Sequence, residues 1–175
     1  GAQAAPELSS ASAPALFCGG CDWQQLSQEA QLEAKREIVR DCLFRIAKLR
    51  EPKIEATLPS PQSWRYRNKV LVPFGRRGRA GPVIAGFFAP GSRRIVDFED
   101  CPVQPELSVR LVLAVKRLAA ELNWEIYDEQ RGDGWLRHAY IRTNSEGKAH
   151  LSLVTRSAAF PQRERFLDAL RAQFP

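Results

Sequence analysis

Residues 64–74 read Trp64-Arg65-Tyr66-Arg67-Asn68-Lys69-Val70-Leu71-Val72-Pro73-Phe74. Cations stand at every second position from Arg65 to Lys69. Between and after them run Trp64, Tyr66, Asn68, Val70 and Val72. A period of two is the signature of a half-buried strand. Gly75, Gly78 and Gly81 mark a turn directly afterwards. Residues 83–88 and 94–98, on either side of Pro90-Gly91, read as two more strands. Strand, glycine turn and strand in close succession point to antiparallel sheet.

Working outward, Pro105 opens a helix to about Leu122, with Val109, Val112, Leu113, Val115 and Leu118 on its buried side. Residues 124–127, 135–142 and 149–155 are further strands, and 144–147 is a hairpin turn between the last two. A final helix covers about 162–173. Toward the N-terminus, Ser27 caps a helix reaching about Arg50. Leu32, Val39, Cys42, Leu43, Ile46 and Leu49 form its apolar stripe, and Cys42 reads as a core residue. Residues 1–16 are mostly Ala, Ser and Pro and read as a tail or linker. Residues 17–175 form the folded domain. The expected fold class is α+β: a mostly antiparallel sheet with two to three packed helices.

The 175 residues carry 26 Lys and Arg against 20 Asp and Glu, a net charge of +6. Twenty of the cations are Arg, whose planar fork suits phosphate and stacks on bases. Between Arg65 and Arg79 there are six cations and no acid, with Trp64, Tyr66 and Phe74 interleaved. Such a segment can hold a phosphodiester backbone and stack a base. Arg93 and Arg94, after the Pro90-Gly91 turn, also come within reach of phosphate. No apolar run approaches the roughly 18 residues of a membrane span. Neither a charged start nor an apolar signal segment is present, and there is no methionine, so the chain reads as a cytoplasmic, monomeric piece of a longer protein.

Cys18-Gly19-Gly20-Cys21 is the sharpest local motif. A thioredoxin-like redox pair would sit where a strand meets a helix, and here no strand precedes and Asp22 to Ser27 intervene. A zinc site needs a fourth ligand, and His138 and His150 lie in expected strands. Two thiolates with Cys101, which lies before Pro102, suit an iron–sulfur site better. A non-catalytic zinc-binding or structural RNA-interaction module is the alternative class.

Several segments together resemble one family. They are Cys18-Gly19-Gly20-Cys21-Asp22-Trp23-Gln24-Gln25-Leu26, Tyr66-Arg67-Asn68-Lys69, Gly86-Phe87-Phe88-Ala89-Pro90-Gly91-Ser92, Asp100-Cys101-Pro102-Val103-Gln104, and Leu136-Arg137-His138 with Ile141-Arg142. In this order they are similar to the iron–sulfur region of bacterial S-adenosylmethionine-dependent RNA (uracil-5-)-methyltransferases of the 23S ribosomal RNA branch. The resemblance implies a central domain that holds ribosomal RNA. A 4Fe–4S cluster would sit on Cys18, Cys21 and Cys101, its fourth position here being Ser12. Since a hydroxyl is a poor iron ligand, an incomplete or absent cluster is expected. The resemblance also implies Arg67 toward the target base, Tyr66, Lys69 and Arg65 in support, and Arg137, His138 and Arg142 as further RNA contacts. S-adenosylmethionine and the catalytic residues would belong to a domain that this chain does not resemble. None of the chain's residues is expected to be catalytic, and the chain alone is expected to be inactive.

Overall fold

A computed structural model describes residues 18–174. They divide into two compact units: residues 21–63, and residues 18–20 together with 64–174. Ser12 lies outside the described residues.

The larger unit is built on a five-stranded, wholly antiparallel sheet of β1 (Lys69–Arg76), β2 (Val83–Phe88), β3 (Ile95–Asp97), β4 (Leu136–Thr143) and β5 (Ala149–Thr155), in the order β3-β2-β1-β4-β5. Val70, Val72 and Phe74 of β1 and Leu136, Ala139 and Ile141 of β4 are buried on one face. Against that face packs a helix, α1 in the larger unit (Glu106–Glu121), through Leu111, Val112, Val115, Leu118 and Ala119. A second helix, α2 (Arg163–Gln173), contributes Phe166 to the same core. The architecture is α+β, as the alternation of strand and helix patterns implied.

Lys116 of α1 donates to Asp97 Oδ1 at 2.6 Å, and the same oxygen accepts from the Ala85 amide at 3.0 Å. One carboxylate thus ties helix, β2 and the end of β3. Trp124 and Trp135 meet edge to face at 4.8 Å and share their cluster with Phe160 and Phe166. The indole N–H of Trp124 donates to Gln162 Oε1 at 3.1 Å, which satisfies the polar edge of a buried ring.

Three expectations change. The first strand begins at Lys69 and not at Trp64. Arg65 has φ 58°, which breaks an extended ladder, and residues 65 and 67 bond instead to the 102–103 loop. Residues 124–127 make only an isolated bridge, Ile126 to Leu136, and not a strand. The third concerns the smaller unit. Its helix, α3 in this account, runs Gln28–Arg45 and stops short of Arg50 because Lys48 adopts φ 59° and the Leu49 amide returns to Leu43 O at 3.1 Å. Ser27 caps it as expected, accepting from the Ala30 amide at 3.2 Å. The apolar stripe is not buried. No residue of α3 is buried, and Cys42 is exposed rather than a core residue. The physical reason is local. The neighbour within the unit is an extended segment held to the helix by polar bonds, Arg36 to Ile54 O at 3.1 Å, Thr57 to Leu32 O at 3.0 Å and Ser63 to Gln28, and not by packing on the apolar stripe.

Candidate nucleic-acid interface

Register fixes what the sheet presents on the face away from α1, because residues directly opposite in a ladder share a face. Lys69 pairs with Arg142, and Arg142 with His150. Leu71 pairs with Tyr140, and Tyr140 with Ser152. Pro73 pairs with His138. This face is therefore a basic and aromatic surface. Lys69, Arg142 and His150 are exposed, and Leu71 is half exposed. Neither Lys69 nor Arg142 has an acidic partner among the described residues. Burial, reinforced by the Arg137 charge, pushes the His138 imidazole below its ordinary range, so it is neutral at pH 7.

The segment before β1 has a different task. Arg65 grips Asp100 with two parallel bonds, 2.8 and 2.9 Å, and reaches the carbonyls of Cys101 and Gln104 at 3.0 and 3.1 Å. Its amide donates to Pro102 O at 2.7 Å. That guanidinium is engaged in holding the Cys101 loop. Asp100 is correspondingly held below the usual carboxylate range, chiefly by the Arg65 hydrogen bond. Arg67, half buried, donates to Gly20 O at 3.2 Å and through its amide to Val103 O at 3.0 Å. Tyr66 stands between them with its ring exposed. The turn at residues 18–20 is anchored to the sheet by the Gly19 amide on Phe88 O at 2.9 Å. A Cβ at Gly19 would lie 2.7 Å from that same oxygen, so only glycine fits.

Cys18 Sγ accepts from the Gly20 amide at 3.4 Å. Cys18 and Cys101 belong to the larger unit and Cys21 to the smaller. Among the described residues no three Cys, His, Asp or Glu are gathered so as to hold a metal ion.

Arg137 and His138 do not join Arg67. They sit on β4 toward the opposite end of the sheet, where Arg137 bonds Glu129 at 2.6 Å and lies over the Tyr127 ring at 4.5 Å. Arg142 does lie at the Lys69 end. Sequence reasoning did not single out Tyr140 or Phe88. The alternation His138, Tyr140, Arg142 carried the signal for the first of them.

No family model matches the chain. The chain is similar to segments of proteins named RNA methyltransferases. It is 36% identical over 175 residues to an uncharacterized RNA methyltransferase of Halalkalibacterium halodurans, covering 99% of this chain and 38% of the relative. Relatives of the same description in Synechocystis and Gloeobacter violaceus are each 37% identical, over 90% and 95% of this chain and 34% and 37% of theirs. The chain thus spans little more than a third of the length of the curated relatives it matches. Among solved structures, it is similar to the Pyrococcus abyssi tRNA (uracil-54, C5)-methyltransferase in complex with S-adenosyl-L-homocysteine. The TM-score is 0.65, with 25% identity over 85% of this chain and 34% of that one. These likenesses support a relation to RNA methyltransferases, with the chain similar to one part of such proteins.

Proposed function

We propose that this chain is the RNA-contacting part of an S-adenosylmethionine-dependent RNA (uracil-5-)-methyltransferase that acts on 23S ribosomal RNA, and that it holds substrate without itself transferring methyl groups. The observation that carries the reading is the sheet face away from α1, where exposed Lys69 and Arg142 stand opposite each other without an acidic partner among the described residues, beside Tyr140, with exposed Tyr66 shortly before β1. Cations of this kind bind phosphate, and exposed aromatic rings accept unstacked bases. Arg67, half buried and bonded to Gly20 O, would face a base extruded from its stack.

The resemblance assigns Cys18, Cys21 and Cys101 to an iron–sulfur cluster, and no part of this reading depends on it. Iron and sulfide analysis of anaerobically purified protein decides that assignment separately.

The experiment is RNA binding by the 175-residue chain, measured by anisotropy of a labelled ribosomal RNA stem-loop. Weak, salt-dependent binding is expected, and Lys69→Ala with Arg142→Ala should reduce the log–log salt slope by roughly 0.7–0.9 per lost phosphate contact. Binding that ignores both substitutions refutes the assigned face. Methyl transfer by the chain alone refutes the division of labour.

A further inference from the structure

At the opposite end of the sheet from Arg67, an open groove of about 830 Å3 runs between the β1–β2 hairpin, the turn before β3 and the 127–131 loop. It starts at Pro73, four residues and about 14 Å along β1 from Lys69, and extends past Arg76 at the far end of that strand. Seven arginines line it against three acidic residues. Arg131 is engaged by Asp128 and Asp133, and Arg137 by Glu129. Arg76 is engaged by the carbonyls of Gly81 and Trp124. Arg77 touches Asp97 only at 4.0 Å. Arg79, Arg93 and Arg94 are exposed and have no acidic partner among the described residues.

The floor has the opposite character. Pro73, Ile84, Phe88 and Ile95 form it, all on the sheet face away from α1, and Phe88 is 40% exposed. Gly75 keeps the floor level. A Cβ there would lie 2.8 Å from Ile95 Cδ1, so the missing side chain is what lets Ile95 lie across. An apolar floor with one open aromatic ring, walled by unpaired guanidinium groups on two separate turns, matches a strand whose phosphates lie outward and whose bases lie inward. A duplex offers its charges but keeps its bases stacked, so it leaves the apolar floor without a base to cover it.

We propose that this groove is a second RNA site, for a single-stranded segment flanking the nucleotide handled at the Lys69 end, with Arg79, Arg93 and Arg94 on its phosphates and Phe88 under a base. The inference rests on the reading of the chain as RNA-contacting and adds a place and a strand type to it.

The test uses the 175-residue chain and a short labelled single-stranded oligouridylate, titrated at several salt concentrations. The Arg79→Glu/Arg93→Glu/Arg94→Glu variant changes exposed side chains only, and circular dichroism checks its fold. Affinity should fall roughly tenfold or more, and the salt slope should drop by about 2, from roughly 0.7 for each of three single-strand contacts. The triple Arg→Gln variant should show the same slope change with a smaller loss, and Phe88→Ala should weaken binding several-fold at unchanged slope. Wild-type affinity and slope in both triple variants, with Lys69→Ala/Arg142→Ala still weakening binding, would overturn the groove and leave the proposed function standing. Failure of the wild-type chain to bind any RNA overturns both. A duplex or heparin bound as tightly, with the same dependence on the three arginines and none on Phe88, overturns the single-strand assignment. A groove covered by another part of a longer protein would show as loss of the triple-variant effect in that longer protein, and that too overturns the proposal.

Discussion

Arg65 and Arg67 stand two positions apart in one repeating pattern, and the fold gives them different work. Arg65 spends its donors on Asp100 and two carbonyls of the Cys101 loop, so its alanine variant should loosen that loop and leave the Asp100 carboxylate without its cation. The Asp100 carboxyl is held low by Arg65, so the pair contributes stability at every pH above the ordinary carboxylate range and loses it as acid protonates Asp100 through its depressed pKa. Both side chains are partly exposed, which limits the contribution to about 1 kcal/mol or less. Thermal melts of wild type and Asp100→Asn should therefore differ at neutral pH and draw together as the pH falls from the ordinary Asp value of about 4 toward the depressed one; a difference that persists unchanged in strong acid would contradict this. Neither role could be read from residues 64–69 alone. The alternation of cations is identical for both, and what separates them is φ 58° at Arg65 and the loop that its guanidinium meets.

At the scale of elements, helix and strand positions followed from periodicity wherever one face is buried. Of the stripe expected for helix α1, Val109, Val112, Val115 and Leu118 are buried, whereas Leu113 is only partly so and Leu111 and Ala119 join the core in its place, because the helix sinks deeper against the sheet than a narrow stripe implies. Leu118 is 3% exposed there, so Leu118→Ala should cost about 2–5 kcal/mol, seen as a lower urea midpoint at unchanged m-value. The same reasoning failed for α3. Its stripe has the helical period yet stays exposed, since periodicity reports which face is apolar and not whether a partner lies against it. Residue 42 shows this most simply: a cysteine on that stripe is open to solvent. The exposed thiol should accordingly react with Ellman's reagent in the native chain, and protection of Cys42 until unfolding would contradict the structure.

At the scale of the molecule, the charge of +6 resolves into two places on one side of the sheet. The Lys69–Arg142 end was legible from sequence because its residues are adjacent within short segments. The arginines of the groove were noted singly, but their convergence was not legible, because Arg79, the Arg93–Arg94 pair and Arg137 come from three places in the chain and meet only when β1, β2, β3 and β4 are in register. No helix among the described residues is long and apolar enough to cross a membrane. Ultraviolet cross-linking of the 175-residue chain to uridine-containing RNA, followed by mapping of the cross-linked peptides, tests the central claim most directly. The account predicts adducts at Tyr66, just before β1, and at Tyr140 and Phe88 on the sheet face away from α1. Adducts confined to peptides of α1 and α2, or none at low salt, would contradict it.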